Sequence, residues 1–227
     1  MPKAAVPKAA VRPIEVKTLG RVPYGKALAL QQELVDKRRA GEIPDQLLLL
    51  EHPHVITLGS SSRESNILLS RHELEALGIQ VHEAGRGGDV TYHGPGQLVG
   101  YPVLNLTPDR KDLHRYLRDL EEVLLRVLSE FGIQGSREEG LTGVWVPEGK
   151  VAAIGVRVSS GWISSHGFSL NVDPDPKFFS TIIPCGIEDR PVAARSGIVA
   201  RPVTVEEVIP TVVRAFCSVF GRAPTVV

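Results

Sequence analysis

Arg86-Gly-Gly-Asp-Val-Thr-Tyr-His-Gly-Pro-Gly-Gln-Leu-Val-Gly-Tyr101 holds five glycines, a proline, a histidine and an arginine in sixteen residues, and it runs straight into a strand-like stretch. Glycine admits positive φ and lets another molecule approach the main chain, while Pro95 fixes one φ and removes a donor. Such a loop reads either as a binding wall built largely from backbone amides, with Arg86 and His93 as its titratable or charged members, or as a long structural hairpin. Gly85-Arg-Gly-Gly88 is not a dinucleotide fingerprint, because the segment after it reads as loop and strand rather than helix. A G-x-x-x-x-G-K-[ST] phosphate loop and a G-x-S-x-G elbow are both missing, which argues against ATP-driven or serine-based chemistry.

On the N-terminal side, residues 25 to 40 place Ala27, Leu30 and Leu34 on one face and close at Gly41, a pattern for an amphipathic helix. Gln46 to Glu51 is a continuous apolar run that fits a strand buried on both faces. Ser70-Arg-His-Glu73 is a capping box opening a short helix that stops at Gly78, and a short strand near Val81 precedes the glycine-rich loop. On the C-terminal side, Leu98 to Leu106 reads as strand. A strong helix follows, with Leu113, Tyr116, Leu117, Leu120, Leu124, Val127, Leu128 and Phe131 at helical spacing before Gly132. Thr142 to Val146, Val151 to Val158 and Trp162 to Val172 form a meander of strands. A last helix opens at the capping box Thr204-Val-Glu-Glu207, where Pro210 is expected to kink it or delay its start. This order of elements predicts an α+β domain around a mixed or antiparallel sheet.

The chain has 227 residues, 42% hydrophobic and 23% charged, enough for one domain with a sizeable core. Lysine plus arginine and aspartate plus glutamate each total 26, so no global field favours nucleic acid or an anionic membrane. No apolar run approaches the roughly 18 residues of a membrane span, and residues 1 to 10 lack the apolar centre of a secretory signal; a cytoplasmic location is expected. Residues 1–15 are read as a disordered tail and 16–222 as the single domain. Two cysteines without CxxC spacing give neither a disulfide framework nor a structural zinc site, and His52-Pro-His54 has no third ligand at familiar spacing, so no metal is expected.

Cys185 stands between Pro184 and Gly186, so a turn rather than a regular element presents its thiol. It is either a small buried hydrophobe or a nucleophile, and the second role needs a cationic neighbour or a base, since a free thiol titrates near about 8.5. Lys150, just before an apolar strand, either points its ammonium into a pocket or sits on an exposed turn. His93 and His166 are alternative bases or hydrogen-bonded structural histidines. Cys217 lies in an apolar periodic segment and reads as packing.

Taken together, these residues resemble a known signature. The stretch from Arg86 to Tyr101, with Glu51-His-Pro, Thr57-Leu-Gly59, Gly143-Val-Trp145, Lys150-Val-Ala-Ala-Ile-Gly-Val-Arg157, His166-Gly-Phe-Ser-Leu-Asn171 and Ile183-Pro-Cys-Gly-Ile187, resembles the octanoyl-[acyl carrier protein]:protein N-octanoyltransferases, or lipoyl(octanoyl) transferases, over roughly Val16 to Phe220. The Ala/Pro-rich start has no counterpart in that family. The resemblance implies the fold of biotin and lipoate protein ligase catalytic domains, an α/β sandwich of a larger mixed sheet and a smaller one with flanking helices. It also implies a cysteine/lysine dyad of Cys185 and Lys150. Substrate contacts fall on Arg86, Gly87, Gly88, Asp89, Val90, Thr91, Tyr92 and His93, on Ala153, Ile154 and Gly155, and on His166, Gly167 and Phe168. It further implies octanoyl-acyl carrier protein as donor, with lipoyl domains of 2-oxoacid dehydrogenase complexes and the glycine cleavage H protein as acceptors. No cofactor, no nucleic acid, no membrane and a monomer complete the expectation. An ATP-dependent lipoate or biotin ligase on the same scaffold, or a non-catalytic module that binds acylated protein, are the alternatives.

Overall fold

The computed structural model describes residues 11–183, 193 and 203–226. At its centre is β2 (Asp45–Glu51), in which Leu47 and Leu49 enter one hydrophobic core while Leu48 and Leu50 enter another. Side chains alternate across a strand, so an unbroken leucine run has to be covered on both faces, as the sequence predicts. Around it lie β1 (Arg12–Arg21), β6 (Gln97–Val103), β7 (Ser136–Glu138), β8 (Leu141–Val146), β9 (Gly149–Ser159), β10 (Ile163–Asn171) and β11 (Arg222–Val226). The order is β11-β1-β2-β6-β10-β9-β8-β7, with β1 parallel to both β11 and β2 and the remaining pairs antiparallel.

One face of this sheet is covered by α1 (Tyr24–Ala40), whose Ala27, Leu34 and Val35 pack on Leu48, Leu50, Val99, Tyr101 and Val103. Gly41 ends it at φ 77°, a left-handed stop. The other face carries α3 (Leu113–Glu130) and α4 (Val205–Phe220). The stripe predicted for α3 is buried from Tyr116 to Leu128, while Leu113, its first member, is exposed. Helix α4 starts where the capping threonine directs, with Thr204 Oγ1 accepting from the Glu207 amide. Pro210 does not delay it. It stands in the second turn, where its missing N–H forfeits only the bond to the Glu206 carbonyl.

A smaller sheet, β4-β3-β5, is made of β3 (Val55–Leu58), β4 (Gln80–Glu83) and β5 (Thr91–His93). It packs with α2 (Arg71–Ala76), capped reciprocally by Ser70 and Glu73, through Ile56, Leu74, Ile79, Val90, Tyr92 and Phe178. The two-sheet, helix-flanked architecture is the one the sequence implies. Its limits are wider, however: strand β1 begins at Arg12, inside the expected tail, and β11 extends past residue 222. Buried Asp45 explains why these ends are structured, because it accepts from Arg38 Nε (2.8 Å), Arg222 Nε (2.9 Å) and the Asn105 amide (2.9 Å). Among the described residues no helix is long and apolar enough to cross a membrane.

Candidate active site

The glycine-rich segment leaves β4, crosses the face of β9 and β10, and returns as β5, so it spans the gap between the two sheets. It is stitched at both sides: Ser60 and Ser61 amides donate to the Arg86 and Gly88 carbonyls (2.8 and 3.1 Å), and the Gly87 amide donates to the Val156 carbonyl (2.9 Å). Arg86 is buried, with Nη2 donating to the Thr57 carbonyl (2.8 Å) and hydroxyl (2.9 Å) and Nη1 to the Gly87 carbonyl (3.0 Å). Gly155 lets the loop lie this low, since a Cβ there would stand 3.0 Å from Arg86 Cδ and 3.2 Å from the Gly87 carbonyl oxygen. Asp89 ties the loop's far end, accepting from the Val90 and Arg63 amides and from Asn66 Nδ2 (2.5 Å).

Beneath this loop is a small pocket of about 50 Å³. Arg86, Gly87, Gly88, Asp89, Val90, Thr91, His93, Ala153, Ile154, Gly155, His166, Gly167 and Phe168 all line it, as do Tyr24, Val99, Tyr101 and Ser169. Tyr92 does not. It is the middle residue of β5, so strand alternation turns it away from Thr91 and His93 into the small-sheet core, where its hydroxyl pairs with His54 Nδ1 (2.7 Å) and its ring stacks on Phe178. Of the lining residues missed in the sequence, Tyr101 and Ser169 stand within quoted motifs, whereas Tyr24 at the start of α1 carries no local signal.

Three buried histidines flank the pocket and are held neutral. Burial lowers His52 and His166 to about 4 and His93 to about 3, with nearby cations and histidines acting the same way. His93 Nδ1 donates to Gln97 Oε1 (2.6 Å), which leaves Nε2 as an acceptor. From Gln97 a hydrogen-bonded run continues through Asn171 (2.8 Å) to the Ala193 carbonyl (3.0 Å), and the Ala193 amide donates to the Lys150 carbonyl (3.0 Å). His52 joins Tyr101 (2.8 Å) to the Val22 carbonyl (2.6 Å).

Lys150, the second residue of β9, pairs with Trp145, and its Nζ lies 5.2 Å from the centre of that indole ring. A bulge between Val144 and Trp145 re-aims the strand there. The lysine stem crosses Gly143, whose φ of 130° and whose amide, donating to Glu121 Oε1 (3.2 Å), fix the floor under it. Lys150 thus stands at the strand end from which Ala153, Ile154 and Gly155 lead along the pocket. Cys185 lies outside the described residues. On its N-terminal side the described chain is anchored, the Ile183 amide donating to the Asn66 carbonyl (2.9 Å). Cys217, the other thiol, is buried in the core under α4 and takes no part in the pocket. Among the described residues no cluster of histidine, cysteine or acidic side chains could hold a metal ion.

Comparison with known proteins agrees with this architecture. A family model for the lipoyl protein ligase A/B catalytic domain matches residues 23–217. An octanoyltransferase of Rubrobacter xylanophilus is 50% identical over 210 residues, 92% of this chain and 94% of that protein. An octanoyltransferase of Gloeobacter violaceus is 50% identical over 203 residues, covering 89% and 88%. Among solved structures, lipoate-protein ligase A bound with ATP superposes with a TM-score of 0.71 at 15% identity over 95% of this chain and 89% of that one. A bi-partite lipoate protein ligase from Thermoplasma acidophilum gives 0.72 at 16% identity, over 95% and 87%. At such identities the structures speak to the fold alone.

Proposed function

Since the chain belongs to the lipoyl protein ligase A/B catalytic-domain family, we propose that it is an octanoyltransferase, carrying an octanoyl group from octanoyl-acyl carrier protein to a lysine of lipoyl domains through a thioester on Cys185. The enzyme is an acyltransferase of lipoate biosynthesis. The observation that carries this reading is one apolar-floored pocket under the glycine-rich loop, at the end of the strand whose second residue is Lys150, in a chain half identical to octanoyltransferases along its length.

In the first half-reaction the Cys185 thiolate attacks the carbonyl carbon of the octanoyl thioester. A carbon–sulfur bond to Cys185 forms, the bond to the carrier's sulfur breaks, and the departing thiolate takes a proton. One thioester replaces another, so the step is close to isoenergetic and needs no ATP. In the second half-reaction a lysine amine of the acceptor attacks the acyl-cysteine, loses a proton and expels the Cys185 thiolate, leaving an amide downhill of the thioester. Lys150 has two parts in this: as ammonium it favours the thiolate, and as neutral amine it takes the proton from the incoming nucleophile. Backbone amides of the glycine-rich loop supply donors for the developing oxyanion. Acceptors are the lipoyl domains of 2-oxoacid dehydrogenase complexes and the glycine cleavage H protein, met as separate folded partners by a monomeric, cytoplasmic enzyme.

Neutral His93 and His166 suit such a pocket, since a charged imidazole would have to be desolvated against the hydrocarbon chain. The deciding experiment is intact mass after incubation with octanoyl-acyl carrier protein. A covalent increment of one octanoyl group, absent in Cys185→Ala and discharged by a lipoyl domain, is expected. Turnover only with ATP and free octanoate would make the chain a ligase instead, and binding of the acyl carrier without any exchange would make it a non-catalytic module.

A further inference from the structure

Behind the acyl pocket lies a second, partly open cavity of about 110 Å³, between α1 and the far ends of β9 and β10. His166 lines both. Strand pairing gives the direction: Ser169 faces Ala153 toward the Lys150 end, then Phe168 faces Ile154, Gly167 faces Gly155, and His166 faces Val156 at the other end. A chain whose carbonyl sits near Lys150 therefore advances toward His166.

His166 is held there against its own backbone preference. Its φ is 54°, left-handed for a non-glycine residue inside a strand, a conformation that survives only where the surroundings over-determine it. The constraints are visible. Its amide donates to Gln31 Oε1 (2.8 Å), its ring bonds the Ala84 backbone, and Tyr101 meets it edge-on with centroids 6.3 Å apart. His166 is the residue that the linings of the two cavities have in common.

What lies behind it is rich in donors. Gln31 is 1% exposed, and because its oxygen must face the His166 amide, its Nε2 is the atom turned elsewhere; among the described residues that nitrogen has no acceptor. Arg39, Arg157, Ser159 and Ser165 line the same cavity; Arg39 is engaged by Asp36 (2.7 Å) and the Ser159 hydroxyl by the Ile163 carbonyl (3.1 Å).

Resting on the octanoyltransferase reading, we infer that His166 is the specificity-determining wall that ends the acyl slot, and that the cavity behind it suits chain ends bearing an acceptor oxygen. Shortening this one side chain joins the two cavities. A chain two methylenes longer then finds room, and a terminal hydroxyl finds the Gln31 amide and the Ser165 hydroxyl.

The test uses His166→Gly, since glycine adopts the native φ without strain. With carrier protein loaded with octanoyl, decanoyl or ω-hydroxydecanoyl groups, kcat/KM is measured for wild type and variant. The decanoyl-to-octanoyl ratio is expected to rise about tenfold, the effect of releasing two methylenes into unfilled space, and the ω-hydroxydecanoyl ratio is expected to rise further. Unchanged ratios in a variant with native circular dichroism overturn the inference. A gain for decanoyl alone keeps the wall but overturns the assignment of the cavity behind it. If His166→Gly does not fold, His166→Asn replaces it, being shorter and tolerant of left-handed backbone. Wild-type protein that fails to transfer octanoyl at all would refute the parent reading, a result distinct from any ratio.

Discussion

Lys150 lies across Gly143: a Cβ built on that glycine would stand 2.6 Å from the lysine Cε and 3.3 Å from Nζ. The same Cβ would also fall 2.6 Å from the Ala152 carbonyl oxygen, a backbone atom that cannot give way, so the flexible lysine is the part that must move. Glycine at 143 is therefore the seat of the lysine.

Gly143→Ala is accordingly expected to move Lys150 rather than remove it. The φ of 130° adds backbone strain of about 1–3 kcal/mol. Displacing a positioned group by about 1 Å can cost about a hundredfold in rate. Activity should drop by that order while the melting temperature falls only a few degrees. Wild-type turnover in the alanine variant would show that the seat is unimportant.

Charge and proton transfer at Lys150 can be separated. Lys150→Arg keeps a cation for the Cys185 thiolate but removes a group able to accept a proton near neutrality. Acyl-enzyme should still form, and its discharge to a lipoyl domain should slow by about 10²–10⁴-fold, the usual range for general base catalysis. Lys150→Ala should impair both half-reactions. Rapid-quench measurement of acyl-enzyme formation and decay reads the two steps, and equal slowing of both by arginine would contradict the division of roles.

Acid should unfold the protein through its buried imidazoles. His52 and His166 titrate at about 4 and His93 at about 3 in the folded state, against 6.5 for an ordinary histidine. Between those values the unfolded chain binds more protons, so stability rises with pH: this contribution is complete above about 6.5 and disappears as pH falls toward 4. Each histidine contributes on the order of 1.4 kcal/mol per pH unit within that window. Urea titrations from pH 7 to 4.5 should show the slope, and His52→Gln should reduce it by close to one proton.

Tyr92 distinguishes the chain's motif from its geometry. Facing the small-sheet core, its hydroxyl serves His54 and not the pocket. Tyr92→Phe should cost about 1 kcal/mol of stability, the worth of one hydrogen bond, and leave the KM for acyl carrier protein where it was. A raised KM would return Tyr92 to the binding surface.

What could be read from the sequence follows the range of the interactions. Local rules located α1 with its Gly41 stop, the Ser70–Glu73 capping box and the doubly buried Leu47–Leu50 strand, because each is decided within a few residues. The glycine-rich loop was legible as a pocket wall because the glycines that let a main chain form such a wall are written in the sequence itself. Tyr92 was misread because a motif quoted as a string conceals the alternation that turns every second side chain around. Gln31 behind His166, 135 residues apart, and Arg222 on Asp45, 177 apart, depend on contacts that no periodicity encodes. Strand β11 carries a proline and only five residues, so it offers little pattern of its own.

That last strand has a bearing on biosynthesis. Strand β1 is synthesised long before β11, yet its outer neighbour is β11 and the buried carboxylate of Asp45 receives the guanidinium of Arg222. Until Arg222 and β11 have been made, β1 has an open parallel edge and Asp45 lacks one of its cations. Nascent chains stalled short of residue 222 should thus be held in a protease-sensitive form, however complete the acyl pocket is by then.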